Sequence, residues 1–167
     1  MSPAPGGALG ALEGSGLGQA MRQWLWLYPS VEIVHILGIG LLFGSIVVLD
    51  LRLLGISRHI SARVLAKHVL PWTAASFLLI IPSGLLMFTA HATEFIDSPV
   101  FILKLCLIMA AGVNAALFHT ITFRTADVWD SEEMRKLPPP PSARLAGALS
   151  LLLWISVIAC GRLLAYF

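Results

Sequence analysis

The chain has 167 residues, 57% of them hydrophobic and only 12% charged, with a formal net charge of +2 and a mean hydropathy of +0.86. A soluble domain cannot carry that much apolar surface, so the composition excludes one and predicts an integral membrane protein. The small positive surplus reflects topology rather than nucleic-acid binding.

The first 20 residues, MSPAPGGALGALEGSGLGQA, lack both a basic start and a long apolar core. They read as a flexible tail of residues 1–20, not as a cleavable signal peptide. Residues 21–167 are expected to form a single transmembrane domain. Trp24, Trp26 and Tyr28 stand where amphipathic rings favour the boundary between membrane and water. The predicted fold class is all-α, an integral membrane four-helix bundle. Its helices fall at about 30–54, 70–91, 99–123 and 144–166, each close to the roughly 20 residues that cross a hydrocarbon core.

Helix 1 begins near Pro29 and Ser30, because proline suits a first helical turn. At 100° per residue Glu32, His35, Leu42, Ile46, Leu49 and Asp50 share one flank, and Gly40 and Gly44 share another. The GLLFG pair is a small-xxx-small pattern that lets helices approach, within one chain or between chains. The connector GISRHISARVLAKHVLPW predicts a short interfacial helix at about 57–68, with Pro71 opening helix 2. Pro82 inside helix 2 removes a backbone donor near midmembrane, and His91 closes that helix.

Helix 3 starts after the Ser98-Pro99 turn. It carries Gly112, Ala115, Ala116 and His119 on one face, where another helix or a flat cofactor fits, and Asn114 on another, suited to a bond across helices. The loop DVWDSEEMRKLPPPPSARLAG is stiffened by Pro138 to Pro141. Helix 4 aligns Gly147, Ser150, Trp154, Gly161 and Ala165. Arg52, Arg58, Arg63, Lys67, Arg124, Arg135, Lys136 and Arg144 lie in the two loops after helix 1 and before helix 4, against Arg22, Lys104 and Arg162 at the other end. This bias predicts a multi-pass protein of the bacterial inner membrane with both termini periplasmic.

The segments YPSVEIVHILG, GSIVVLDLRLLG, LPW, SGLLMF, SPVFILKL, NAALFH and RLAGALSLLLWISVIACGRLLAYF together resemble a family of small four-helix bacterial membrane proteins known only as a domain of unknown function. The resemblance covers nearly all of residues 28–167. It implies pattern positions at Glu32, His35, Asp50, Arg52, Lys104, Asn114, His119, Arg144, Trp154, Arg162 and Tyr166, with His68 and His91 outside the pattern. More distantly, the architecture is similar to copper-resistance membrane proteins and di-haem cytochromes b, a likeness of fold alone.

Ionisable groups within a bilayer point to function by default. A b-type haem needs two imidazoles from different helices at one depth. His35 with His91 would hold one haem near the termini, and His68 with His119 another near the loops, with Glu32 beside the first and Arg162 on a propionate. Such a subunit would pass electrons between quinone and an envelope partner. Three other readings stand beside it. His35 and His119 are hydrogen-bonding residues within the bundle, with Glu32 an i, i+3 partner of His35. Alternatively, Cys106, Cys160, Met87 and Met109 with His35 or His91 serve Cu(I), with a disulfide between Cys106 and Cys160 open. The remaining class is a non-enzymatic assembly subunit, homo- or hetero-oligomeric. No Walker sequence, nucleophile elbow, zinc-type cysteine cluster or dinucleotide fingerprint is present, which disfavours soluble-type hydrolysis and phosphoryl transfer.

Overall fold

A computed structural model describes residues 7–164 and Tyr166. Four of its helices are long and apolar enough to cross a membrane: Leu27–Leu53, Ala62–Ala90, Pro99–Trp129 and Pro141–Leu163. The protein is therefore a multi-pass membrane protein, and its outward apolar side chains contact lipid. In chain order the elements are α1 (Ala8–Glu13), α2 (Gly16–Gln23), α3 (Leu27–Leu53), α4 (Ala62–Ala90), α5 (Ala92–Asp97), α6 (Pro99–Leu117), α7 (Ala126–Trp129) and α8 (Pro141–Leu163). Between α6 and α7 the helical run widens into a π-type turn, Phe118–Thr122, and tightens again over Phe123–Thr125.

Two boundaries differ from the sequence expectation. Of the expected tail, residues 8–13 and 16–20 lie in helices. Here Ser15 caps α2, the Glu13 carboxylate accepts from the Thr93 amide and hydroxyl at 2.7 Å each, and Arg22 donates to the Ala90 carbonyl at 2.8 Å. These bonds fasten α1 and α2 across the end of α4, and the Thr93 donors hold the Glu13 carboxyl below its ordinary pKa. The second difference is the expected interfacial helix at 57–68. Gly55 and Ser57 adopt positive φ and turn the chain, then Ser61 caps α4 by accepting from the Val64 amide. Residues 62–68 are thus the first turns of α4, and Pro71 lies inside that helix rather than opening it.

Neighbouring helices pack in the order α4, α3, α8, α6. Glycines set the approaches. A Cβ on Gly38 would lie 2.8 Å from the Ile80 side chain, and one on Gly147 would lie 3.1 Å from the Asp50 carbonyl oxygen. Gly38 thus fixes α3 on α4, and Gly147 fixes α8 on α3. Gly40 and Gly44, the small-xxx-small pair, have nothing within 4 Å of an added Cβ. Among the described residues α4 and α6 lack a comparable packed seam. They meet at the terminal end through stacked Phe88, Phe95 and Phe101, and at the loop end through Arg63 over the Phe123 ring at 5.8 Å.

Candidate functional site

The terminal half of the bundle holds His35, and its surroundings explain it. Pro82 has no amide proton, and proline loosens the helical bonding of the preceding turn. The carbonyl left without its helical donor is that of Leu78, and side chains around such a turn can bond the neighbouring carbonyls as well. Here the Ser83 hydroxyl donates to the Leu79 carbonyl. His35 Nδ1 lies 3.1 Å from the Ile80 carbonyl oxygen and 2.9 Å from the Ser83 Oγ, so an Nδ1 proton donates to both. The ring lies over Gly84, where a Cβ would come within 3.1 Å of Cε1. His35 therefore joins α3 to the proline turn of α4.

The other residues expected at this end have separate partners. His91 Nδ1 lies 3.1 Å from Glu94, and its ring packs edge-on against Tyr28 at 6.1 Å. His35 is seven residues beyond Tyr28 on α3, about 10 Å deeper at 1.5 Å per residue, so the structure does not bring His35 and His91 together. Glu32 is exposed. Arg162 donates to the Tyr166 hydroxyl at 2.6 Å. Cys106 and Cys160 are free thiols, the first exposed and the second buried, and the Lys104 Nζ lies 3.8 Å from a Cβ built on Gly161. A groove of about 340 Å³ lined by Met21, Arg22, Tyr28 and His91 opens to the outside at this end.

The loop half contains a different feature. All four long helices line a cavity of about 290 Å³. Leu42, Ile46, Leu49, Phe77, Phe118 and Trp154 supply apolar walls, and Asp50, Ser150, Asn114 and His119 supply the polar chemistry. Asp50 is only 5% exposed, and its Oδ2 is buried without a hydrogen-bond partner among the described residues. The Ser150 hydroxyl of α8 lies beside the carboxyl, at the level where Gly147 lets α8 press on the α3 backbone. Asn114 uses its amide nitrogen on the Ala146 carbonyl at 3.0 Å. His119, in the π-type turn, is half-buried, with Nδ1 2.9 Å from the Ala115 carbonyl oxygen. Among the described residues Nε2 has no hydrogen-bond partner, and His119 belongs to the cavity lining. π-type turns within helices recur at functional sites. His68 is exposed, with Nδ1 2.9 Å from the carbonyl oxygen of Val64 in its own helix. Among the described residues no three His, Cys, Asp or Glu side chains gather as a metal cluster.

Beneath the cavity, Arg52 and Asp130 close the loop end. Arg52 is 3% exposed. It donates through Nη2 to Asp130 Oδ1 at 2.8 Å and through Nε to the Ile60 carbonyl. The same carboxylate accepts from the Ser61 hydroxyl at 2.6 Å and from the amides of Ala62 and Arg63 at 3.0 and 3.1 Å. Asp130 thus caps α4 from a distant loop, where a negative charge also complements the helix dipole. Burial alone would push its pKa up. The Ser61 hydroxyl, the two amides and the Arg52 charge outweigh burial and hold it below the ordinary carboxylate value.

Helical periodicity sets Asp50 on the flank of His35. Its proximity to Ser150 carried no sequence signal, because the two residues lie on α3 and α8. Asp130 carried no periodic signal, because its partners lie about 70 residues earlier. Comparison with known proteins matches residues 12–167 to a family of unknown function, DUF6644. No curated protein and no solved structure matches the chain.

Proposed function

Because the chain belongs to this family of unknown function, whose description carries no activity, we propose from the site itself that the protein is a membrane electron-transfer subunit receiving a quinone headgroup in its four-helix cavity. The observation that carries this reading is the buried, unpartnered Oδ2 of Asp50 in an otherwise mostly apolar cavity. Leaving such an oxygen unsatisfied costs about 1–3 kcal/mol, and unpaired buried polar atoms in native structures call for an explanation. A quinone ring is flat and apolar on both faces, with carbonyl oxygens at its edge. Phe77, Phe118 and Trp154 suit the faces. The second amide proton of Asn114, the Ser150 hydroxyl and a protonated Asp50 carboxyl are donors for the carbonyls. Quinone reduction consumes protons as well as electrons, and a carboxyl near one end of the span suits that need.

The basic bias of the two long loops supports placement in a bacterial inner membrane with the termini outside and Asp50 towards the cytoplasm. An envelope partner carrying its own redox group would then be the electron donor or acceptor for the bound quinone. Quenching of Trp154 fluorescence by a decyl-tailed quinone tests the binding. Saturable quenching whose amplitude falls in Trp154→Phe, the other four tryptophans remaining, and whose affinity weakens about tenfold in Asp50→Leu is expected, one lost polar contact being worth roughly 1.4 kcal/mol. Absence of saturable quenching in the unaltered protein overturns the reading.

A second reading is haem b, favoured by His119, which lines the cavity with Gly112 and Ala115 and whose Nε2 has no hydrogen-bond partner among the described residues. Haem-ligating and metal-ligating imidazoles commonly donate their other nitrogen to a carbonyl, as His119 is placed to do. A bound haem would supply one-electron chemistry. The absorption spectrum of detergent-purified protein decides it, with a Soret band lost in His119→Ala supporting haem and a colourless protein opposing it.

A further inference from the structure

The gap between α4 and α6 has the form of a window. It is closed at the terminal end where the Phe88 and Phe101 rings stack at 5.9 Å, and at the loop end where Arg63 covers Phe123. Between those closures the cavity is lined by Thr73 and Phe77 from α4 and by Gly112 and Ala115 from α6. Phe77, Gly112 and Ala115 are all exposed, and a Cβ on Gly112 would meet nothing within 4 Å. These exposures lie within spans whose outer faces meet lipid.

Resting on the reading of the cavity as a quinone site, we propose that the ligand reaches it sideways from the bilayer, through the α4–α6 window across Gly112. Its headgroup advances towards Asp50, and its isoprenoid tail lies over Gly112 and remains in the lipid. Two features favour a tailed molecule over a small polar solute. The walls between window and Asp50 are mostly apolar, so a hydrated solute would lose its water along the path without replacement bonds. In addition, the loop end beneath Asp50 is shut by the bonded Arg52 and Asp130. A tail left in the lipid also spares the cavity from having to enclose the whole molecule. Gly112 serves as the threshold because any side chain there would stand in the opening.

A reversible block at the threshold tests this. Gly112→Cys is made with Cys106→Ser, since Cys106 is the exposed native thiol, and is labelled in nanodiscs with a benzyl methanethiosulfonate. The unlabelled variant, whose small thiol side chain already narrows the opening, supplies the reference rate for association of decyl-tailed quinone. After labelling, association should slow at least about tenfold, as expected when access requires displacement of a bulky group, and reductant should restore it. Restoration also shows that the fold survives. Labelling at Val113→Cys, on the same helix but outside the cavity lining, should change association less than about twofold.

If the unaltered protein binds quinone and the labelled Gly112→Cys protein binds it equally fast, the window is overturned while the site survives. If the unaltered protein binds none, the quinone reading itself fails. If labelling instead dissociates a dimer with quinone association unchanged, a helix from a second copy occupies the window and the proposal is overturned.

Discussion

The two ends of the bundle treat polar groups in opposite ways. At the terminal end His35 is matched to the Ile80 carbonyl and the Ser83 hydroxyl of a proline turn, His91 to Glu94, and Arg22 and Glu13 to the end of α4 and α5. At the loop end the polar groups divide into two layers. Arg52 and Asp130 are densely bonded, yet one helical turn or less away Asp50 keeps a buried oxygen without a partner. Histidines within a membrane attract attention as ligands, but of the described residues that hold a buried, unpartnered polar atom, which also include Arg52, Arg63, Ser98 and Arg135, Asp50 is the one that lines the four-helix cavity. An ionisable residue that is satisfied explains a contact, whereas one left unsatisfied beside a cavity points to a missing occupant.

The largest expected effect comes from breaking the closed layer. Asp130→Ala leaves the Arg52 guanidinium buried without its counter-charge and uncaps α4, so stability should fall by about 3–5 kcal/mol. Unfolding in mixed detergent micelles measures it. The same residue fixes a pH dependence. Its folded pKa lies below its unfolded value of about 3.9, so its contribution is fully present above that value and is lost as pH falls through the lower folded value. Across that acid window the unaltered protein should lose more stability than Asp130→Asn. Equal acid sensitivity would mean that the Asp130 contacts do not close the loop end.

The open layer should respond with the opposite sign. Asp50→Leu removes an unsatisfied buried carboxyl and substitutes an apolar side chain of similar size. A gain of about 1–3 kcal/mol is therefore expected, together with weakened ligand binding. Such a trade separates the two layers cleanly. Destabilisation of similar size would show that Asp50 is a structural residue like Asp130, and the contrast within the loop end would disappear.

The four spans were legible because a mean hydropathy this high leaves few alternatives, and because Pro99 and the Pro138 to Pro141 run mark helix starts. The start of α4 was not, since residues 55–61 turn through the positive φ of Gly55 and Ser57 and the first amides of α4 are capped by the distant Asp130. Helical periodicity placed His35 and Asp50 on an inward flank. It could not show that Gly38 rather than Gly40 meets α4, or that the Ile80 carbonyl and the Ser83 hydroxyl beside Pro82 lie at the level of His35. Depth along a helix is readable from one sequence, but the partner across the seam depends on which residues let the backbones approach.

The terminal end offers the smaller test. His35→Ala removes bonds to Ile80 and Ser83, and hydrogen bonds between transmembrane helices contribute only about 1 kcal/mol. Ser83→Ala should cost a similar amount. The double variant should cost less than the sum, because both residues serve the same proline turn. Strict additivity would mean that His35 and Ser83 act independently and that Pro82 does not couple them. If the purified protein is coloured, the same variants divide the roles: loss of the Soret band in His35→Ala but not in Ser83→Ala would make His35 a ligand, whereas equal small losses of stability with an unchanged spectrum would leave it a bond between α3 and α4.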